Sequence, residues 1–343
     1  MPRGFASKRL ALRAYGLTLL GLLALGALVL VVLHLGELER FVALTRTARP
    51  AWFLAAVALQ GATYVATAAV WQRALAVAGQ RVPLRSLVPL GLAKLFTDQA
   101  FPSVGLSGTV LLARGLARRG VHGKLATQVL LVSLVSFYSS FMIAALVALG
   151  LLWLHHEANP MLVAAGAIFA AIAVAVPAAA LWLKRWGARS APAWLRKFPG
   201  FEALFESVAH APEDLLRNVS LFIQTFSLQA SVLVLDALTL WVIFYALGEP
   251  ASFLTVFVGF VMASVIATIG LVPLGLGTFE ASSVAILSLL GVEVEVALAA
   301  TLLLRGLTFW LPMVPGVWLA RHELAPGSRP GASTSSMRVT SSQ

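Results

Sequence analysis

The run Val272-Pro273-Leu274-Gly275-Leu276-Gly277, with Glu280 three residues beyond it, interrupts an apolar stretch that extends from Ala251 to Val292. Proline and closely spaced glycines do not continue a helix, so the stretch reads as two half-helices joined by a break. A second stretch, Ser86 to Ala113, has the same form. There Phe101-Pro102-Ser103-Val104-Gly105 separates two arms, the first carrying Lys94 and Asp98.

Longer apolar runs flank these interrupted stretches. Ala14 to Leu33, Ala51 to Trp71, Leu125 to Leu154 and Met161 to Leu183 carry no charge, whereas Asn218 to Gly248 and Val296 to Ala320 carry one each, Asp236 and Arg305. A helix of ~20 residues at ~1.5 Å per residue crosses a bilayer's hydrocarbon core. The first run follows Arg3, Lys8, Arg9 and Arg13. It exceeds the ~7–15 apolar residues of a signal peptide and no small-residue cleavage site follows, so it reads as a retained helix.

Composition agrees. Of 343 residues, 59% are hydrophobic and 11% charged, against about 25% charged in soluble domains. The net charge of +11 sits in short clusters between apolar runs, the pattern of cytoplasmic loops and not of a nucleic-acid-binding face. Cysteine is absent, which excludes disulfides and thiolate metal sites. The fold class expected is all-α and polytopic, with residues 1–13 a cytoplasmic segment, 14–320 the membrane domain and 321–343 a Ser/Gly/Pro-rich disordered tail. Within 184–217, Phe201, Leu204, Phe205 and Val208 follow helical spacing and suggest an interfacial helix.

Loop charges discriminate between two topologies. If both interrupted stretches are re-entrant hairpins, six spans remain, and residues 1–13, 72–124, 184–217 and 321–343 hold 21 of the 25 Lys and Arg. Both termini are then cytoplasmic, and the hairpins enter from opposite sides as an inverted repeat. The alternative is eight spans, since Ala251 to Gly270 alone nearly crosses. Non-helical backbone at membrane depth persists only when covered by protein or lining a polar cavity, and paired interrupted segments in two halves point to a transport site.

Lys94, Asp98, Asp236, Glu280 and Arg305 fall at membrane depth, where charges must pair or face water. Lys94 and Asp98, four apart on one helical face, either neutralise each other or contact substrate. Glu280 opens the half-helix after the glycines, where a carboxylate suits the positive end of the helix dipole. Arg305 has no opposite charge in its own helix, which leaves a lock with Glu280 or a lipid phosphate. Asp236 reads as either a coupling carboxylate or one end of an interhelical hydrogen bond to Ser, Thr or Gln. His155, His156 and Glu157 are too few for a metal site. No nucleophile elbow, zinc helix or phosphate loop occurs, so neither catalysis, a cofactor nor a metal is expected.

Pro102-Ser103-Val104-Gly105-Leu106-Ser107-Gly108, then Arg114 and Arg118-Arg119-Gly120, resembles the first signature of the lysylphosphatidylglycerol synthase transmembrane-region family, the flippase-like or YbhN-like membrane proteins. Pro273-Leu274-Gly275-Leu276-Gly277-Thr278-Phe279-Glu280, then Gly291, Ala297 and Arg305, resembles the second. Where the commoner family form has an acidic residue after the first glycine, this chain has Leu106 and Ser107. The resemblance spans residues 10 to 322 and implies the flippase-like half without the synthase. It implies an inner-membrane protein that moves an amphipathic, anionic or aminoacylated lipid between leaflets, with membrane lipids as partners. Lys94, Asp98, Pro102, Gly105, Ser107, Pro273, Gly275, Gly277, Glu280 and Arg305 are the expected cavity residues. The rival expectation is a scaffold or accessory subunit for a lipid-modifying or glycolipid-synthesis enzyme. The oligomeric state is not specified by the sequence.

Overall fold

The computed structural model describes residues 49–100, 106–154, 218–269 and 277–324, with scattered helical positions between 160 and 178. The runs before residue 49 and from 179 to 217, and the tail from 325, lie outside these residues. Among the described residues there is no strand. Three long helices match three of the expected spans: α1 (Pro50–Val77), α4 (Gly123–Leu154) and α5 (Val219–Leu247). A fourth, Val294–Arg321, is also long and apolar enough to cross a membrane.

That fourth span is not a uniform α-helix. It comprises α8 (Val294–Arg305), a π-helical turn (Gly306–Trp310) and α9 (Leu311–Leu324). The widened turn ends two residues before Pro312, whose ring would meet the carbonyl four residues back in a regular α-helix. Elsewhere local chemistry sets the ends. Pro50 sits in the first turn of α1, where its missing N–H costs nothing. The Asn218 side chain accepts from Leu221 N at 2.9 Å to cap α5, and Gly248, at φ 82°, closes it.

The two interrupted stretches are helical hairpins. The first is α2 (Leu84–Ala100) with α3 (Leu106–Arg118), and the second is α6 (Phe253–Ile269) with α7 (Thr278–Leu289). Each closes by seating a leucine where the opposite arm has a glycine. A Cβ on Gly115 would meet Leu90 at 2.2 Å, and one on Gly259 would meet Leu287 at 2.6 Å.

The hairpins are rooted at opposite ends of the bundle. Arg49 N donates to Ala246 O at 2.8 Å, so α1 begins where α5 finishes and the two pack antiparallel along their lengths. The first hairpin follows the end of α1, and the second follows the end of α5. Among the described residues two apolar cores result. One joins the second hairpin to Ala56, Phe141, Ala145 and Leu304. The other joins the first hairpin to Leu75, Ala126, Leu221 and Ala320. This second end carries Arg73, Arg81, Arg85, Arg118 and Arg119 and is called the basic end below.

Polar side chains fill the level between the cores. On α1 they are Gln60, Thr63, Tyr64 and Thr67, between Ala56 and Ala68; on α4 they are Ser136 and Ser140, between Val132 and Phe141. Ser136 and Thr225 share a 2.7 Å hydrogen bond, and Ser140 donates to Phe226 O at 3.0 Å. Such bonds join helices where lipid offers no hydrophobic drive to associate. Outward positions are apolar, including Leu54, Ile143, Leu146, Ile223 and Val314.

Candidate functional site

Arg305 ends α8 at the edge of the second hairpin's core, one residue before the π turn. Its Nε donates to Glu280 Oε1 at 2.6 Å. The other carboxylate oxygen, Oε2, accepts from Gly277 N at 2.7 Å. Glu280 therefore ties the first turn of α7 both to its own N-terminus and to the last span. Gly277 takes φ 80° at this start, a conformation that a side chain would strain. The Arg305 guanidinium also lies 4.7 Å from the Phe279 ring centroid and 5.8 Å from that of Phe309. Two aromatic faces and a carboxylate thus enclose a cation whose side chain keeps 16% of its surface exposed.

The first hairpin has its own pair. Lys94 Nζ donates to Asp98 Oδ2 at 2.7 Å, and Asp98 Oδ1 accepts from Gly108 N, on the opposite arm, at 2.8 Å. Asp98 thus closes the hairpin near the start of α3, where free N–H groups and the helix dipole favour a negative charge. A Cβ on Gly108 would lie 2.3 Å from Asp98 Oδ1, so the approach requires glycine. Ser107 Oγ donates to Thr97 O at 3.1 Å, a second bond across the same arms.

Asp236 lies on α5 facing Gln60 and Tyr64 of α1. Among the described residues its Oδ1 is buried with no hydrogen-bond partner, as is Gln60 Oε1. Gln60 Nε2 donates to Thr63 Oγ1 at 3.0 Å, and Tyr64 donates from its hydroxyl to Leu307 O, inside the π turn, at 3.1 Å. The α1–α5 interface therefore connects to the segment that follows Arg305.

Of the expected cavity residues, Pro102, Gly105, Pro273 and Gly275 lie outside the described residues, so the tips of both hairpins do too. Lys94, Asp98 and Ser107 gather in one hairpin, and Gly277, Glu280 and Arg305 gather around the other. The sequence reading passes over Phe279 and Phe309 as partners of Arg305, and over Tyr64 and Gln60; none of these carries a charge that stands out in an apolar run. It also misses a clamp at the basic end. There Arg119 Nη2 reaches Glu323 Oε1 at 2.7 Å, its Nε donates to Ser86 Oγ at 2.7 Å, and its Nη1 donates to Gly115 O at 2.7 Å.

Among the described residues no cluster of three or more His, Cys, Asp and Glu side chains could hold a metal. Long apolar helices, two interrupted hairpins and charge pairs within the apolar bundle define an α-helical polytopic membrane protein. Residues 18–316 match the family described as the lysylphosphatidylglycerol synthase TM region, and the chain belongs to that family. A UPF0104 membrane protein of Methanothermobacter thermautotrophicus is similar to it, with 24% identity over 321 residues that cover 88% of this chain and 93% of the relative.

Proposed function

We propose that this protein moves an amphipathic lipid with an anionic or aminoacylated head group between the leaflets of the cell membrane, without catalysing a covalent step. The observation that carries this reading is Arg305. A guanidinium sits beside a π turn, where the last span passes from packing on the second hairpin to packing on the first, and is held by one carboxylate and two rings. Buried cations in a membrane are costly and serve pathways or partners, and π turns are frequent at functional sites. On this reading the hairpins are re-entrant, their broken tips meet around a polar cavity, and the basic end faces the cytoplasm. A lipid phosphate competes with Glu280 for Arg305 while the acyl chains stay in the bilayer.

One observation favours a second reading, a scaffold for a lipid-modifying enzyme. Arg305 already has a carboxylate and two aromatic faces, which suffices for a structural role. Reconstitution into liposomes with fluorescent lipids of several head groups separates the two. At matched protein content, Arg305→Gln is expected to lower leaflet transfer more than Arg118→Gln, because Arg118 donates to Glu323 O at the exposed basic rim, where charge is screened. No transfer above empty liposomes for any lipid would replace the transporter reading with the scaffold one.

A further inference from the structure

The turn that leads from α1 into the first hairpin builds a pocket with two arginines and no carboxylate. As α1 ends, the N–H groups of Ala78, Gly79 and Gln80 take the carbonyls of Ala74, Ala76 and Leu75 at 3.3, 3.0 and 2.9 Å. The chain then folds back beside the last turns of α1. Gln72 Nε2 reaches Val82 O at 3.4 Å, and the Val82 side chain is buried in the basic-end core. Arg81 is thereby brought to the same cavity as Arg73, with Gln72, Gln80, Ala76 and Pro83 in its walls and a volume of about 330 Å³. That volume lies at the lower end of the ~300–1,000 Å³ usual for ligand sites.

No acid among the described residues compensates the charge in this pocket. Among the described residues neither Arg73 nor Arg81 has a hydrogen bond or ion pair, and no Asp or Glu occurs between Arg49 and Thr97. Two acids described around the first hairpin are engaged elsewhere: Asp98 by Lys94 and Gly108 N, and Glu323 by Arg119. The carboxyl end of α1 contributes about half a negative charge, too little to balance two guanidiniums. Three of its carbonyls are in any case taken by the turn. Two planar guanidiniums without acids are suited to a phosphate, which each can hold bidentately.

The walls indicate how that phosphate is carried. Ala76 and Val77 are exposed beside the pocket, Val77 to 46%, and the pocket opens where a helix of spanning length ends. We propose that the Arg73–Arg81 pocket binds the phosphodiester head group of an anionic phospholipid from the leaflet at the basic end. Val77 then lies against the start of the acyl chains. This site is separate from Arg305, and the proposal holds whether or not the protein transfers lipid.

The test is native mass spectrometry of the full chain released from nanodiscs containing equal phosphatidylglycerol and phosphatidylethanolamine. Phosphatidylglycerol should be retained preferentially, and the Arg73→Gln/Arg81→Gln double variant should lower its apparent affinity roughly tenfold, as expected for lost charge-assisted bonds. Arg85→Gln, which removes an exposed charge outside the pocket, is the control and should stay near wild type. The single variants Arg73→Lys and Arg81→Lys, which keep charge but lose the fork, should fall between. An equal loss with Arg85→Gln, or no preference for phosphatidylglycerol in wild type, overturns the proposal. Competition by free glycerol 3-phosphate at concentrations equal to the lipid's would assign a soluble phosphate instead and overturn it as well.

Discussion

The two hairpins solve one problem in two ways. Each is a pair of short helices closed by leucine against glycine, and each holds a carboxylate whose two oxygens divide between a cation and a backbone N–H near a helix start. In the first hairpin the cation is local, since Lys94 lies one turn from Asp98, and the carboxylate joins the two arms. In the second the cation is remote, 25 residues along the chain on the last span, and the carboxylate joins the hairpin to the bundle. A local pair survives movement of its hairpin as a body; a remote one is broken by it. The second hairpin is therefore the one whose displacement would release a cation.

The largest effect should come from breaking the remote pair. Arg305→Gln or Glu280→Gln leaves its partner without compensation in a site mostly shielded from solvent, at a cost of about 3 kcal/mol. Thermal unfolding in detergent, or folded yield on size-exclusion chromatography, reads this directly. The double variant Glu280→Gln/Arg305→Gln should recover at least about 1 kcal/mol of the summed loss. Strict additivity in that cycle would mean the two side chains do not stabilise each other.

The local pair should be less sensitive, and unequal between its members. Asp98→Ala removes the bond to Gly108 N and strands Lys94, costing about 2 kcal/mol. Lys94→Gln leaves the backbone bond in place and should cost less than about 1 kcal/mol, given that the Lys94 side chain is 26% exposed. Gly108→Ala should resemble Asp98→Ala, because its Cβ displaces the same carboxylate. A Lys94 variant as damaged as the Asp98 variant would show that the ion pair, and not closure of the hairpin, sets the stability.

These contrasts also explain what the sequence makes visible. Hydropathy and proline-glycine punctuation mark the long helices and both hairpins, since each depends on local composition. The end of α1 at Val77 instead of Trp71 is less visible, because Gln72 and Arg73 are polar yet still helical where the bundle meets its basic end. Lys94 with Asp98 follows from spacing, and Glu280 with Arg305 follows from an arginine lacking a partner on its own helix. The rings of Phe279 and Phe309, the Tyr64 bond to Leu307 O and the Arg119–Glu323 clamp depend on packing register between elements far apart in sequence. The π turn is hidden for a related reason: Pro312 announces a disturbance without saying whether the helix kinks or widens.

The smallest effect should be at Asp236, and it separates this residue from both hairpin carboxylates. Asp98 and Glu280 each use both oxygens, whereas Asp236 leaves Oδ1 buried and unpartnered among the described groups. Among the described residues no cation is bonded to it, and the side chain that hydrogen-bonds to it is the neutral Gln60. Removing its capacity for charge while keeping its shape should therefore strand nothing, and Asp236→Asn should change stability by less than about 1 kcal/mol or raise it. Asp236→Ala removes volume as well, in the tight α1–α5 interface beside Gln60, and should cost more than the asparagine variant. Unfolding midpoints of the two variants in one detergent check the order. A loss for Asp236→Asn matching that of Glu280→Gln would mean that Asp236 has a charged partner in the folded protein, and the division between the cation-paired hairpin carboxylates and this one would fail.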